Sequence, residues 1–279
     1  MKKILALTDF SACAENGVDT AIRLAENSGA ELIVYSRVKI PFNWQTLTNA
    51  EKAQNPEAVA LVSNTEALFD ALKDRYADKK VKIKTLFSGG KLIEMVRDLV
   101  ESENIDLLVL GSHGSSGLEE LFVGSNTQRI VRFVHCPVLV VKNKRETIEF
   151  KNIVYASDFN ASDKAAFLRF LIFVRNFDPT IHLLSVNTLG FFSQPYVLTK
   201  TLMDEYKAIC GDDINCEIHM ISNPFIEPGI REFANDIDAD LIVVSNEHRH
   251  PIKRMFTGSN VEALINHSDV PVLSLDFKD

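Results

Sequence analysis

Apolar residues along the chain fall into two alternating patterns. Short apolar runs occur at KILALT (3–8), ELIVYSRV (31–38), VKIKTLF (81–87), IDLLVLG (105–111) and PVLVV (137–141). Between them lie stretches of helical period. Ala14, Val18, Ala21, Ile22 and Ala25 share one face of a helix over 12–28, and Leu61, Leu68 and Leu72 recur at helical spacing within 50–78. Residues 91–103 and 125–134 read as two further helices. Strands that alternate with amphipathic helices predict a parallel sheet covered on both faces. The unbroken run LLVL fits a strand buried on both sides.

The second half repeats the order. Strands are predicted at 152–157, 180–187, 214–222, 240–245 and 271–275, with helices at 162–176, 193–210, 227–236 and 259–267. The halves also match in sequence. KILALTDFS (3–11) and NIVYASDFN (152–160) stand 149 residues apart. VGSNTQRIVRFVHCPVLVV (123–141) and TGSNVEALINHSDVPVLSL (257–275) stand 134 apart. A repeat this long is a duplicated domain, with the second copy about 15 residues shorter by the change in offset. The charged stretch KNKRETIEFK (142–151) reads as the linker, which gives domains at 1–143 and 151–279.

Composition narrows the function classes. The chain has 279 residues, 46% hydrophobic and 24% charged, with a formal net charge of −8. A pI near 5.4 argues against broad electrostatic capture of nucleic acid. It leaves room for a local anion site built from backbone N–H groups. No apolar run approaches the roughly 20 residues needed to span a membrane. Asp9 interrupts the N-terminal apolar run too early for a signal peptide. Four cysteines without a C-x-x-C pair form neither a disulfide framework nor a zinc site, so the expected compartment is the cytoplasm.

In doubly wound sheets, ligands bind beyond the carboxyl ends of strands. Asp9, Val38 and the residues from Gly111 onward are therefore the informative ones. The segment GSHGSSGLEELFVGS (111–125) follows a buried strand and opens a helix. Glycines let backbone approach a ligand closely, and a helix start adds unpaired N–H groups. Together they suit a phosphate. The structural alternative makes Ser125 or Asn126 a helix N-cap, and Asp9 an Asx-turn before the next helix.

The pattern G-x2-G-x9-G-S resembles the nucleotide-binding signature of the universal stress protein family. KILALTDFS, SGAELIVYSRV, IDLLVLGSHG and helix–HCPVLVV fall in that family's order, so the resemblance covers nearly the whole chain as two tandem domains. It implies a five-stranded parallel sheet per domain, related to the adenine-nucleotide α-hydrolase fold, and pairing of domains through their last strands. Val138–Val141 and Val272–Leu275 are the matching runs, and a homodimer of chains is a further option. The resemblance also implies ATP as ligand, with Mg²⁺ as an optional companion. Asp9 would then sit beside ribose or adenine, with Val38 against the ring. Gly111 and Gly114 would line ribose and phosphates, and Gly124, Ser125 and Asn126 would donate to the phosphates. Leu7 departs from the pattern, since many members have Pro there.

The second copy departs further. Ser245 and His248 replace Gly111 and Gly114, whereas Asp158, Gly258 and Ser259 are retained. This predicts one competent site, in the first domain. FSGGK (87–91) reads as a turn and helix start, and no P-loop or Rossmann fingerprint is present. His113 lacks a partnering carboxylate in its vicinity of the sequence. With no general base or charged metal-binding pair, the residues assign no catalytic role, and any ATP hydrolysis is expected to be slow. The expected function is a cytoplasmic stress-response module regulated by ATP. The alternatives are a protein of the same fold that acts through protein contacts alone, and a nucleotidyl-transferring or hydrolysing enzyme of this fold.

Overall fold

The computed structural model describes residues 1–112, 125–144, 149–160, 163–188, 195–245 and 260–275. The first repeat runs β1 (Lys3–Leu7), α1 (Ala12–Ser28), β2 (Glu31–Arg37), α2 (Asn49–Ala53), α3 (Pro56–Arg75), β3 (Ile83–Ser88), α4 (Leu92–Ser102), β4 (Leu107–Gly111), α5 (Ser125–Phe133) and β5 (Val138–Val141). The second runs β6 (Asn152–Ala156), α6 (Lys164–Val174), β7 (Thr180–Asn187), α7 (Tyr196–Cys210), β8 (Asn215–Ser222), α8 (Ile226–Asp236), β9 (Leu241–Ser245), α9 (Asn260–His267) and β10 (Val272–Leu275). Strand order is β3-β2-β1-β4-β5 in the first repeat and β8-β7-β6-β9-β10 in the second. The repeats thus share one doubly wound α/β topology.

By their contacts, residues 1–112, 125–136 and 141–144 gather in one compact unit, and residues 137–140 with those from 149 onward in another. In the second unit Val138–Val140 pair antiparallel with β10, Val140 opposite Val272 and Leu139 opposite Leu273. The remaining recorded pairings are parallel.

Burial follows the hydrophobic pattern. Ile4, Leu5 and Ala6 of β1 and Leu107–Leu110 of β4 are buried, as befits strands covered on both faces. Helix α1 buries Ala14, Val18, Ala21, Ile22 and Ala25, the face its spacing predicts. It starts at N-cap Ser11 and ends at Gly29 in the left-handed region (φ 68°).

The long helix expected over 50–78 is two helices. Thr48 and Glu51 form a capping box that starts α2, and Pro56 opens α3 at its first turn, where its missing N–H costs nothing. The buried face of α3 is Ala58, Thr65, Phe69 and Leu72, with Leu68 exposed. Phe69 receives the edge of Phe10 at 5.2 Å between ring centroids, which orients the helix by an aromatic contact rather than by the leucine row.

The duplication extends to local geometry. Asp106 accepts from the N–H groups of Lys2 and Lys3, and Asp240 accepts likewise from Lys151 and Asn152. Each carboxylate ties the entry of the repeat's first strand to the entry of its neighbour. Asn104 (φ 52°) and Asp238 (φ 50°) take the same left-handed conformation beyond the ends of α4 and α8. No helix among the described residues is long and apolar enough to cross a membrane.

Candidate functional site

Strand β1 sits between β2 and β4, with Leu7 level with Tyr35 and Leu110. The chain therefore leaves β1 at Thr8–Asp9, β2 at Val38 and β4 at Gly111–Ser112 along one edge of the sheet. From β1 the chain winds outward through β2 and β3, then crosses back to β4 on the other side. The tips of β1 and β4 thus flank the topological switch point, where open α/β sheets hold ligands. Helix α5 begins at Ser125, in the crossover from β4 to β5.

The turn after β1 is built by its own side chains. Phe10 adopts φ 62°, an uncommon conformation for a bulky residue. Its N–H donates to Thr8 Oγ1 at 2.9 Å. Asp9 Oδ1 accepts from the Ser11 N–H at 3.0 Å and the Ser11 hydroxyl at 2.5 Å. Ser11 Oγ in turn accepts from the Ala14 N–H at 3.3 Å, capping α1. The Asx-turn weighed for Asp9 is therefore present. It also holds an exposed carboxylate at the strand tips, so the structural and ligand roles are compatible. The second repeat has the same device: Phe159 takes φ 55°, and its N–H donates to Ser157 Oγ at 2.9 Å.

Gly111 has a role that the motif alone does not reveal. A Cβ there would lie 1.8 Å from the Cys13 carbonyl oxygen, on the first turn of α1. A Cβ on Gly17 would lie 2.4 Å from the Gly111 nitrogen. The two glycines let α1 lie directly on the end of β4. Ser112 follows, 3% exposed, with its N–H donating to the Val141 carbonyl at 2.8 Å. Its hydroxyl is buried without a hydrogen-bond partner among the described residues. The sequence signal for Ser112 was its place directly after the fourth strand, overshadowed by the glycines around it.

Val38 is 7% exposed and clusters with Ile40, Trp44 and Ala58. Its N–H donates to the Ser88 carbonyl at 3.0 Å. Trp44 is part of this small core, with the Lys52 ammonium 5.6 Å from its ring centroid. Beside it, Gly89 packs so closely under the Ile40 carbonyl that a Cβ would lie 2.2 Å away. The SGG segment is thus a packed turn. Tyr35 bonds Ser88 Oγ at 2.8 Å, and burial raises its phenol's pKa, so the group stays neutral. Ser125 and Asn126 are exposed on the first turn of α5. Gly114, Gly124 and His113 lie outside the described residues, as do His248, Gly258 and Ser259.

The second repeat carries a cavity of about 460 Å³ at the carboxyl ends of its strands. Ser157 and Asp158 after β6, Asn187 at the end of β7 and Ser245 at the end of β9 line it, with Asp163 and Asn260. Asn160 bridges its acidic rim, donating to Asp158 Oδ1 at 3.0 Å and to Asp163 Oδ2 at 3.1 Å. Serine at 245 is accommodated at this rim.

Two copies of a doubly wound α/β domain, each with a built turn after its first strand, define a tandem α/β protein. The chain belongs to the universal stress protein family, whose model matches residues 1–142 and again 149–275. Universal stress protein MJ0531 of Methanocaldococcus jannaschii is 29% identical over 153 residues, covering 52% of this chain and 84% of that protein. Universal stress protein YxiE of Bacillus subtilis is 27% identical over 147 residues, covering 50% of this chain and 98% of that protein. A crystal structure of a universal stress protein from Archaeoglobus fulgidus covers 98% of both chains with a TM-score of 0.78 at 19% identity, a likeness of fold. A putative universal stress protein from Pseudomonas aeruginosa follows the same fold, covering 99% of this chain and 93% of that one with a TM-score of 0.66.

Proposed function

We propose that this chain is a cytoplasmic stress-response protein that binds ATP at the strand tips of its N-terminal repeat and acts as a regulatory or interaction module. The observation that carries the reading is the arrangement at the switch point. An exposed carboxylate fixed by the Asp9–Ser11 turn stands on the same edge as Ser112 and Val38. Asp9 accepts from ribose or the adenine amino group, and Ser112 offers an unused hydroxyl. Ser125 and Asn126 donate to phosphates at a helix start, together with Gly124 and Gly114 of the sequence motif. Mg²⁺, where present, is held mainly by phosphate oxygens and water. Pairing of the repeats uses their last strands, and association of whole chains is a separate step.

Nucleotide acts through a difference in its affinity for two states of the protein or of a partner interface. Turnover is not required. The test is thermal unfolding with and without ATP, together with mass spectrometry of small molecules released on denaturation. At 100-fold excess over Kd the ligand should stabilise the fold by about 2.7 kcal/mol. An unchanged melting temperature in saturating ATP, with no adenylate released, refutes ligand binding and favours a purely protein-contacting module.

The cavity of the second repeat supports an additional reading. Its rim carries Asp163 beside Asp158, the counterpart of Asp9, and this second carboxylate repels a polyphosphate and accepts hydrogen bonds from hydroxyl or ammonium groups. The second repeat would then take a small polyhydroxylated or amine ligand rather than ATP. A melting-temperature screen of such compounds, with Ser245→Trp as the blocked control, tests it.

A further inference from the structure

Away from both switch points, β7 and β8 bring together three side chains with metal-binding chemistry. In the parallel register His182 lies opposite Glu217, and Leu184 opposite His219. Glu217 and His219 are two apart on one strand, so they share its face. His182 Nδ1 is 3.1 Å from His219 Nε2, and Glu217 Oε2 is 3.5 Å from each of those nitrogens. The three ligand atoms thus form a nearly equilateral triangle. A tetrahedral ion with bonds of about 2.0–2.2 Å holds its ligand atoms roughly 3.3–3.6 Å apart. The two 3.5 Å spacings meet that requirement, and the 3.1 Å spacing between the imidazoles must open slightly to do so.

A hydrogen bond between His182 Nδ1 and His219 Nε2 accounts for only part of the group. Only one proton can lie between the two imidazole nitrogens. The carboxylate oxygen stands beyond the 2.7–2.9 Å or so of a charge-assisted bond to either ring. His182 is 8% exposed, and its other nitrogen, Nε2, is buried without a hydrogen-bond partner among the described residues. The polar contacts of this buried ring therefore lie on the Nδ1 side, facing the other two ligands. Phe233 of α8 packs 4.8 Å from the His219 ring and 6.3 Å from the His182 ring, limiting their rotation. Glu217 remains about half exposed, which leaves an approach from solvent.

We infer that His182, Glu217 and His219 form a binding site for a divalent transition-metal ion of the zinc class, with a solvent-accessible fourth position. Two imidazoles and one carboxylate suit zinc over magnesium or calcium, which prefer all-oxygen sets. The ion fastens β8, the outer strand of this repeat, to β7. This site is independent of the nucleotide reading.

The test is calorimetric titration of zinc chloride into the full, tag-free chain after chelator treatment, with cobalt(II) absorption as a second probe. The expected result is one ion per chain and visible bands typical of tetrahedral cobalt. Glu217→Gln and His219→Gln are placed on partly exposed positions, and their far-UV spectra and metal-free melting temperatures check that they fold. Each should weaken binding by about tenfold or more, since even loss of an outer-shell partner costs that much. Cys216→Ser should leave binding intact. Absence of binding, or binding that survives both substitutions, overturns the assignment.

Discussion

Gly17 of α1 and Gly111 of β4 lie so close that a methyl group on Gly17 would come within 2.4 Å of the Gly111 nitrogen. A methyl group on Gly111 would meet the Cys13 carbonyl oxygen at 1.8 Å. The obstructing atoms are backbone, so no side-chain rotation can relieve the overlap. Gly111→Ala should destabilise the fold by about 1–3 kcal/mol, measured by urea unfolding, because α1 must move off the sheet. Any loss of ATP affinity in this variant should scale with that displacement. A variant as stable as the parent would show that the packing of α1 is not what requires glycine.

Asp9 combines a turn role with a proposed ligand role, and two substitutions separate them. Asp9→Asn keeps an oxygen acceptor for Ser11, so stability should change by less than about 0.5 kcal/mol. Asp9→Ala removes the acceptor for two donors and should cost about 1–2 kcal/mol. Both should weaken ATP if the carboxylate contacts ribose or adenine. Unfolding curves and nucleotide titration of the pair give the two answers independently.

Glu103 lies between Lys3 at 2.8 Å and Lys84 at 2.6 Å, and these two ammonium groups lower its pKa from 4.5 to about 2. The native state therefore holds this carboxylate ionised more firmly than the unfolded chain does. Its contribution is complete above the ordinary value and is lost as pH falls toward the native one. The stability advantage of the parent over Glu103→Gln should be constant above about pH 5 and shrink between there and pH 2. Parallel acid-unfolding curves would contradict the pairing.

Phe159 keeps a left-handed backbone because its ring is fully buried among aromatics. Tyr206 meets it edge-on at 5.1 Å, and Tyr155 lies at 6.3 Å. Phe159→Ala should cost about 3–5 kcal/mol in unfolding free energy. Alanine also carries a Cβ at this positive φ, so the substitution brings no relief of backbone strain.

Topology and duplication were legible from the sequence because they rest on burial. Apolar runs such as LLVL and the matched LTDF and ASDF segments give the succession of strands and the repeat without knowledge of any contact, whereas their order in the sheet comes from the structure. The split between α2 and α3 was also written in Pro56 and in Thr48 with Glu51, but the longer leucine period masked it. The double duty of Gly111 was not legible, because the approach of Cys13 is set by tertiary packing across nearly 100 residues. His182 and His219 were equally hidden. Each is one histidine in an alternating strand, and only the register of β7 on β8 brings them together with Glu217.

The proposed adenine-nucleotide site lies at the strand tips of the first repeat. Its most direct test is calorimetric titration of ATP into the intact chain and into Gly124→Val and Ser245→Trp variants. Saturable binding of one nucleotide, lost in Gly124→Val and kept in Ser245→Trp, is the predicted result. A flat titration of the parent, or binding abolished only by Ser245→Trp, would contradict it.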